Sequence, residues 1–204
     1  MTLSLLYPCQ LASQVLFNYY LTHQINKYKP MNISRNYVSA LHATGAVVAS
    51  GVSMYNNYSS ETVYAARIWS CGYFIYDSIC MLKYDKHNLL RSAYLYHHFA
   101  SVYVLQFDPR KYYGLHAIFW GELSNLPSYL VYHYLKTNPE SAKLVLYKQL
   151  QKYMYSFIRL PVVGYYLYKA YYGNVEGERG PVKAVIPVYL MGLIWSYKLL
   201  NNNK

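Results

Sequence analysis

Four ionisable side chains stand where the sequence is otherwise apolar: the adjacent pair His97 and His98, then Asp77 and Glu122. The histidines lie in Tyr94-Leu95-Tyr96-His97-His98-Phe99-Ala100-Ser101, Asp77 in Gly72-Tyr73-Phe74-Ile75-Tyr76-Asp77-Ser78, and Glu122 in an apolar run that starts near Tyr113. Downstream, Arg159 sits in Ser156-Phe157-Ile158-Arg159-Leu160-Pro161. A histidine beside a carboxylate suits general acid–base chemistry, because imidazole takes and gives up a proton near neutral pH. Adjacent helix residues point about 100° apart, so at most one of the two histidines faces a single partner squarely. His97 shares a face with Tyr94 and Ser101, and His98 with Tyr94 and Val102. Arg159 has the fork to hold an anionic group bidentately. The residues alone leave three readings open: proton-transfer catalysis, passage of lipid or ions, and structural packing.

The elements that must carry these residues are apolar helices. No Asp, Glu, Lys or Arg occurs from Met1 to Asn26, Asn36 to Ser60, Ser92 to Phe107, or Ala184 to Tyr197. A soluble domain needs a charged face on nearly every surface helix, and only 13% of this chain is charged against about a quarter in soluble proteins. The mean hydropathy of -0.02 points the other way. It is depressed by 29 tyrosines, whose hydroxyl is scored as polar although most of the side chain is an apolar ring. The expectation is an all-α, polytopic transmembrane helical bundle of about seven spans, or six if the first run is peripheral. A soluble all-α protein with large buried helices is the competing reading. Ionisable groups inside membrane helices are costly and mark function by default.

In chain order the expected helices cover roughly Leu3–Leu21, Tyr37–Met54, Glu61–Leu82, the uncharged stretch after Arg91, Tyr113–Leu135, Tyr153–Tyr172 and Val182–Leu200. The first run lacks a basic n-region and a clear cleavage site, so it reads as a retained helix. The second is rich in Ala, Gly and Ser, which allow close helix approach, and its His42 reads as a packed, hydrogen-bonded histidine. Arg67 and Asp77 are about 15 Å apart along one helix axis and cannot pair, which leaves Arg67 to snorkel to an interface. Pro127 should free a carbonyl near Leu123 and kink its helix, with Ser124 and Asn125 at hand to satisfy the backbone. Lys136, Glu140, Lys143, Lys148 and Lys152 fall in a loop and an interfacial helix start, and Asp108-Pro109-Arg110-Lys111 and Gly173–Gly180 are polar breaks. The division is 1–35, a first membrane helix and basic loop; 36–200, the helical membrane domain; and 201–204, a polar tail.

The net charge of +11 does not indicate nucleic-acid binding, since the basic residues gather at the ends of apolar runs and not along one face. Cys9, Cys71 and Cys80 have no CxxC spacing, so neither a disulfide framework nor a metal site is expected.

An ordered set of short motifs resembles the TLC-domain family, which includes the ceramide synthases and the translocating-chain-associated protein. The set is Asn36 with Ser39, Leu41, His42 and Ala43; Gly72 to Asp77; His97-His98; Glu122-Leu123-Ser124; and Phe157-Ile158-Arg159, over roughly 36–168. The small branch outside the ceramide synthases is the most similar. The resemblance implies a role in membrane lipid homeostasis, through lipid binding, transport or sensing. Its alternatives are a membrane-embedded lipid acyltransferase and a helper of membrane-protein biogenesis or trafficking. In the enzymatic case His97 or His98 would take the nucleophile's proton, Asp77 would orient the imidazole, and Glu122 would assist or hold a polar headgroup. Whether or not the protein is an enzyme, the resemblance implies His42, Arg159 and Ser101 as substrate- or lipid-binding residues. No cofactor is bound on this reading, and acyl-CoA enters as co-substrate by resemblance alone. The implied partners are membrane lipids and other membrane proteins or further copies of the chain, in the endoplasmic reticulum or a related endomembrane.

Charge at the breaks gives an orientation. Loops one, three and five with the tail carry Lys27, Lys29, Arg35, Lys83, Asp85, Lys86, Arg91, Lys136, Glu140, Lys143, Lys148, Lys152, Lys198 and Lys204, a net +10. The other loops carry Glu61, Asp108, Arg110, Lys111, Lys169, Glu176, Glu178, Arg179 and Lys183, a net +1. By the positive-inside rule the N-terminus is lumenal and the C-terminus cytosolic. Protease protection with tags in Gly173–Gly180 and at the C-terminus should therefore report opposite accessibility, and equal accessibility would refute this topology.

Overall fold

The computed structural model describes residues 3–107, 113–172 and 179–201. The break Asp108–Lys111, residues 173–178 of the polar loop and residues 202–204 of the tail lie outside the described residues. The described chain is all-α, with no strand. Its helices are α1 (Leu3–Asn26), α2 (Met31–Tyr55), α3 (Ser60–Tyr84), α4 (Leu89–Phe107), α5 (Tyr113–Thr137), α6 (Ala142–Tyr153), α7 (Leu160–Tyr172) and α8 (Arg179–Asn201). A π-helical turn, Met154–Arg159, joins α6 to α7, so the described helices form seven rods. By length and composition one of them, Pro181–Asn201, is apolar enough to cross a membrane.

Local chemistry sets the ends. Ser59 caps α3 by accepting from the Thr62 amide at 3.4 Å, with Glu61 favourably placed in the first turn. Ser141 caps α6 in the same way from the Lys143 amide. Two expected starts move. Helix α2 begins at Met31, directly after Pro30, whose carbonyl accepts from Ile33 and Ser34, and so Arg35 belongs to a helix and not to the first loop. The Ser141 cap likewise starts a helix through Lys143, Lys148 and Lys152, which extend the sixth rod and are not loop residues. The widened turn has a local cause: Pro161 cannot donate to the carbonyl four residues earlier and its ring collides with it, so the turn before it opens to the i→i+5 pattern. Pro127 sits inside α5. Ser124 donates to Gly121 O at 2.7 Å and Asn125 to Glu122, so neither serves the carbonyl of Leu123.

Six rods close a ring in the order α2, α3, α4, α8, α6–α7 and α5, and α5 returns to α2. Helices α4 and α5 face each other across the ring with little contact. Helix α1 packs from outside against α3 and α2, with the Thr22 hydroxyl bonded to that of Tyr76. The core around α3 holds Val38, Cys71, Tyr73, Phe74, Tyr76, Cys80 and Leu105. Arg67 reaches the end of α4, where it donates to the Gln106 carbonyl at 2.9 Å.

Close approach at Gly72 seats α1. A Cβ there would lie 2.5 Å from Gln14 Cγ and 2.6 Å from its Cβ, atoms that cannot retreat unless α1 moves. Gly72→Ala should therefore cost about 1–3 kcal/mol by overpacking, read as a lowered thermal unfolding midpoint. Gly121→Ala, where a Cβ meets nothing within 4 Å, should not lower it.

Candidate functional site

Polar groups are turned inward. Ser34, Ser50, Ser53 and Ser124 are fully buried, and His42, His98 and Glu122 are nearly so. They divide into two neighbouring clusters, with His98 in one and His97 in the other, ring centroids 5.6 Å apart.

The first cluster joins α2, α3 and α4. Arg35 Nη2 donates to Asp77 Oδ1 at 3.2 Å and its Nη1 to Asp85 Oδ1 at 2.7 Å. Asp77 thus finds its cation on α2, a partner the sequence reading missed because it placed Arg35 in a loop. With the helix start corrected, Arg35, Ser39 and His42 fall on one face at i, i+4 and i+7, and Pro30 was the available signal for that start. His98 belongs here too: its Nδ1 lies 3.2 Å from Ser78 Oγ, and its Nε2 is 3.9 Å from Asp77 Oδ2, beyond hydrogen-bond range. His42 lies behind, stacked on Tyr73 with centroids 3.8 Å apart. Neither of its ring nitrogens has a hydrogen-bond partner, so it is packed, as expected, but not hydrogen-bonded.

The second cluster lines a cavity between α4, α5, the π turn and α8. Its inner chamber, about 80 Å³, is bordered by His97, Ser101, Glu122 and Arg159 together with apolar Phe74 and Ile118. An outer chamber of about 580 Å³ shares His97 and Arg159 and extends to Tyr94, Tyr129, Gln151 and Lys198. Asn125 ties the carboxylate to the guanidinium: its Nδ2 donates to Glu122 Oε2 at 3.2 Å, and its Oδ1 accepts from Arg159 Nη1 at 2.7 Å. Arg159 also lies over the Tyr155 ring, 4.8 Å from its centre. The Ser101 hydroxyl donates to the His97 carbonyl at 2.9 Å.

Of the seven residues singled out in the sequence, the cavity gathers His97, Ser101, Glu122 and Arg159. Asp77 and His98 form the other cluster, and His42 lines neither chamber. The two histidines divide as their 100° offset requires: His98 faces Asp77 and His97 faces the cavity. His97 thus has no contact with Asp77 to orient it, and the carboxylate lining its own chamber is Glu122. Asn125, Gln151, Tyr155 and Lys198 were not among the candidates. Asn125 could have been found at i+3 from Glu122. Among the described residues, no group of three His, Cys, Asp or Glu could hold a metal.

Removing Asn125 leaves a buried carboxylate and a guanidinium each without its hydrogen bond. Asn125→Ala should lower unfolding stability by about 1–3 kcal/mol. Glu122→Gln keeps an oxygen to accept from Asn125 and should lose much less. Parallel thermal unfolding of the two variants checks this, and equal losses would mean that the bridge contributes nothing. Comparison with known protein families, with curated protein sequences and with solved structures finds no match.

Proposed function

We propose that the protein is an integral membrane helical bundle that takes a lipid into the cavity at His97 and Arg159 and acts in membrane lipid homeostasis. One observation carries this reading: polar side chains are buried among the apolar core while many large apolar side chains stand on the outside. Serines, histidines and a glutamate are buried, while Leu16, Tyr20, Val48, Leu89, Phe99 and Ile194 are exposed, Leu89 by 87%. Water penalises such an exterior, and large contiguous apolar surfaces mark membrane or partner contact. Length fits as well. A helix of 24 or 25 residues is about 36 Å long, sufficient for a hydrocarbon core of about 30 Å. Hydropathy singles out only α8 because tyrosine, frequent throughout the chain, is scored as polar.

A cavity of about 580 Å³ is within the range of small-molecule sites, and its mix of apolar walls with a few polar groups suits an amphiphile. The TLC-domain resemblance supports the same role. It also supports a second reading, lipid acyl transfer, favoured by one observation: His97 lines the inner chamber with Glu122, and its ring makes no hydrogen bond among the described residues. His97 would then be the proton acceptor, and His98 would stay with Asp77.

The test combines extraction and labelling. The protein should stay in the membrane pellet after alkaline carbonate, and a lipid with a photoactivatable acyl chain should label α4 and α8. Ala93→Trp, which fills the outer chamber from α4, should abolish labelling without loss of folded protein. Release by carbonate, or labelling unchanged in Ala93→Trp, would defeat the proposal. If the His97→Gln variant still binds lipid but loses a lipid product in cells, the acyl-transfer reading gains; an unchanged product spectrum removes it.

A further inference from the structure

Resting on the lipid-cavity reading, we propose that the outer chamber selects lipids whose headgroup is a net-negative phosphate, with Arg159 as the phosphate ligand and Lys198 completing the charge match. Among the described residues the chamber lining contains two cations, Arg159 and Lys198, and no Asp or Glu. Among the described residues no carboxylate lies within ion-pair distance of Arg159: Asp77 and Asp85 pair with Arg35, and Glu122 is reached through Asn125. Arg159 spends one donor on Asn125 and rests on Tyr155, so most of the five guanidinium donors remain for a ligand. The same lining includes Tyr94, Tyr129 and Tyr155, whose hydroxyls make no hydrogen bond among the described residues.

A phosphate accepts from several directions at once and matches the guanidinium fork. A carboxylate's two oxygens use fewer of these donors. A choline headgroup would bring a third cation beside two others, with no acid in the chamber to receive it. Glu122 lies beyond Asn125 in the inner chamber, where its carboxylate turns an anion back, so the phosphate stops at Arg159. The acyl chains then have Leu89, Leu90, Met191 and Trp195 of the outer wall to lie against.

The experiment is equilibrium binding to the purified chain in detergent of phosphatidate and phosphatidylcholine with matched acyl chains, with inorganic phosphate and glycerol 3-phosphate as competitors. Phosphatidate should bind at least about tenfold tighter, the effect of a single charge-assisted hydrogen bond. Arg159→Gln should erase the preference and Lys198→Gln should reduce it, with phosphatidylcholine binding weakened less than phosphatidate binding in both. Should Arg159→Gln fail to fold, the exposed Lys198 decides: an unchanged preference in Lys198→Gln overturns the proposal. Equal binding of the two lipids overturns the charge selection and leaves the lipid cavity standing. Binding of neither lipid overturns the cavity reading itself. If the soluble phosphates displace phosphatidate at matching concentrations, the ligand is a soluble anion and the lipid assignment is wrong.

Discussion

The interior depends on Arg35 meeting Asp77 and Asp85. An unpaired carboxylate on the inner face of α3 would cost several kcal/mol, and one guanidinium spans both acids because its donors are set in a rigid fork. The tie fixes α2 against the last turns of α3. Through Asp85, whose carbonyl accepts from Arg91 at 2.9 Å, it also fixes the start of α4. Once α4 is held with His98 toward Asp77, helix geometry alone turns His97 toward the cavity. The histidine that does no pairing is the one left facing a ligand, and that division of labour follows from an ion pair on two other helices.

The cavity exists because α4 and α5 stay apart while their outer neighbours close the ring. Its polar lining is internally connected: Glu122, Asn125 and Arg159 form one hydrogen-bonded row from α5 to the π turn. Glu122 and Arg159 are therefore neither a bare ion pair nor independent. The amide between them takes the carboxylate as acceptor and the guanidinium as donor, satisfying each without neutralising either by contact.

Much of the helical layout is legible in the sequence, because charge-free gaps mark α1, α2, α4 and α8 and the breaks between the rods are polar. Helix starts are less legible: Arg35 and Lys143 look like loop residues until Pro30 and Ser141 are read as helix-starting signals. The pairing of Glu122 with Arg159 through a third residue cannot be deduced from spacing, since it depends on how two distant rods face each other. The choice between His97 and His98 is likewise tertiary. Sequence limits it to one of the two, and the position of Asp77's partner on α2 makes the choice. Tyrosine obscures the solvent reading, because a hydropathy scale counts its hydroxyl and ignores most of its ring.

The π turn works as a phase step in the sixth rod. An extra residue in one turn advances every side chain after it by about 100° relative to an unbroken α-helix. Before the step the rod faces α5: Tyr147 stacks on Tyr134, and Gln151 donates to Ser128. At and beyond it the rod also meets α8: Ser156 meets Ser196 at 2.5 Å, Leu160 O accepts from Tyr189 at 3.2 Å, and Gly164 makes room for the same tyrosine, while Tyr166 still stacks on His116 of α5. One rod thereby adds α8 as a neighbour without leaving α5, and the turn where this happens is where Arg159 enters the cavity. Deleting one residue between Met154 and Arg159 would turn every side chain beyond it by about 100° and take Leu160 and Gly164 away from Tyr189.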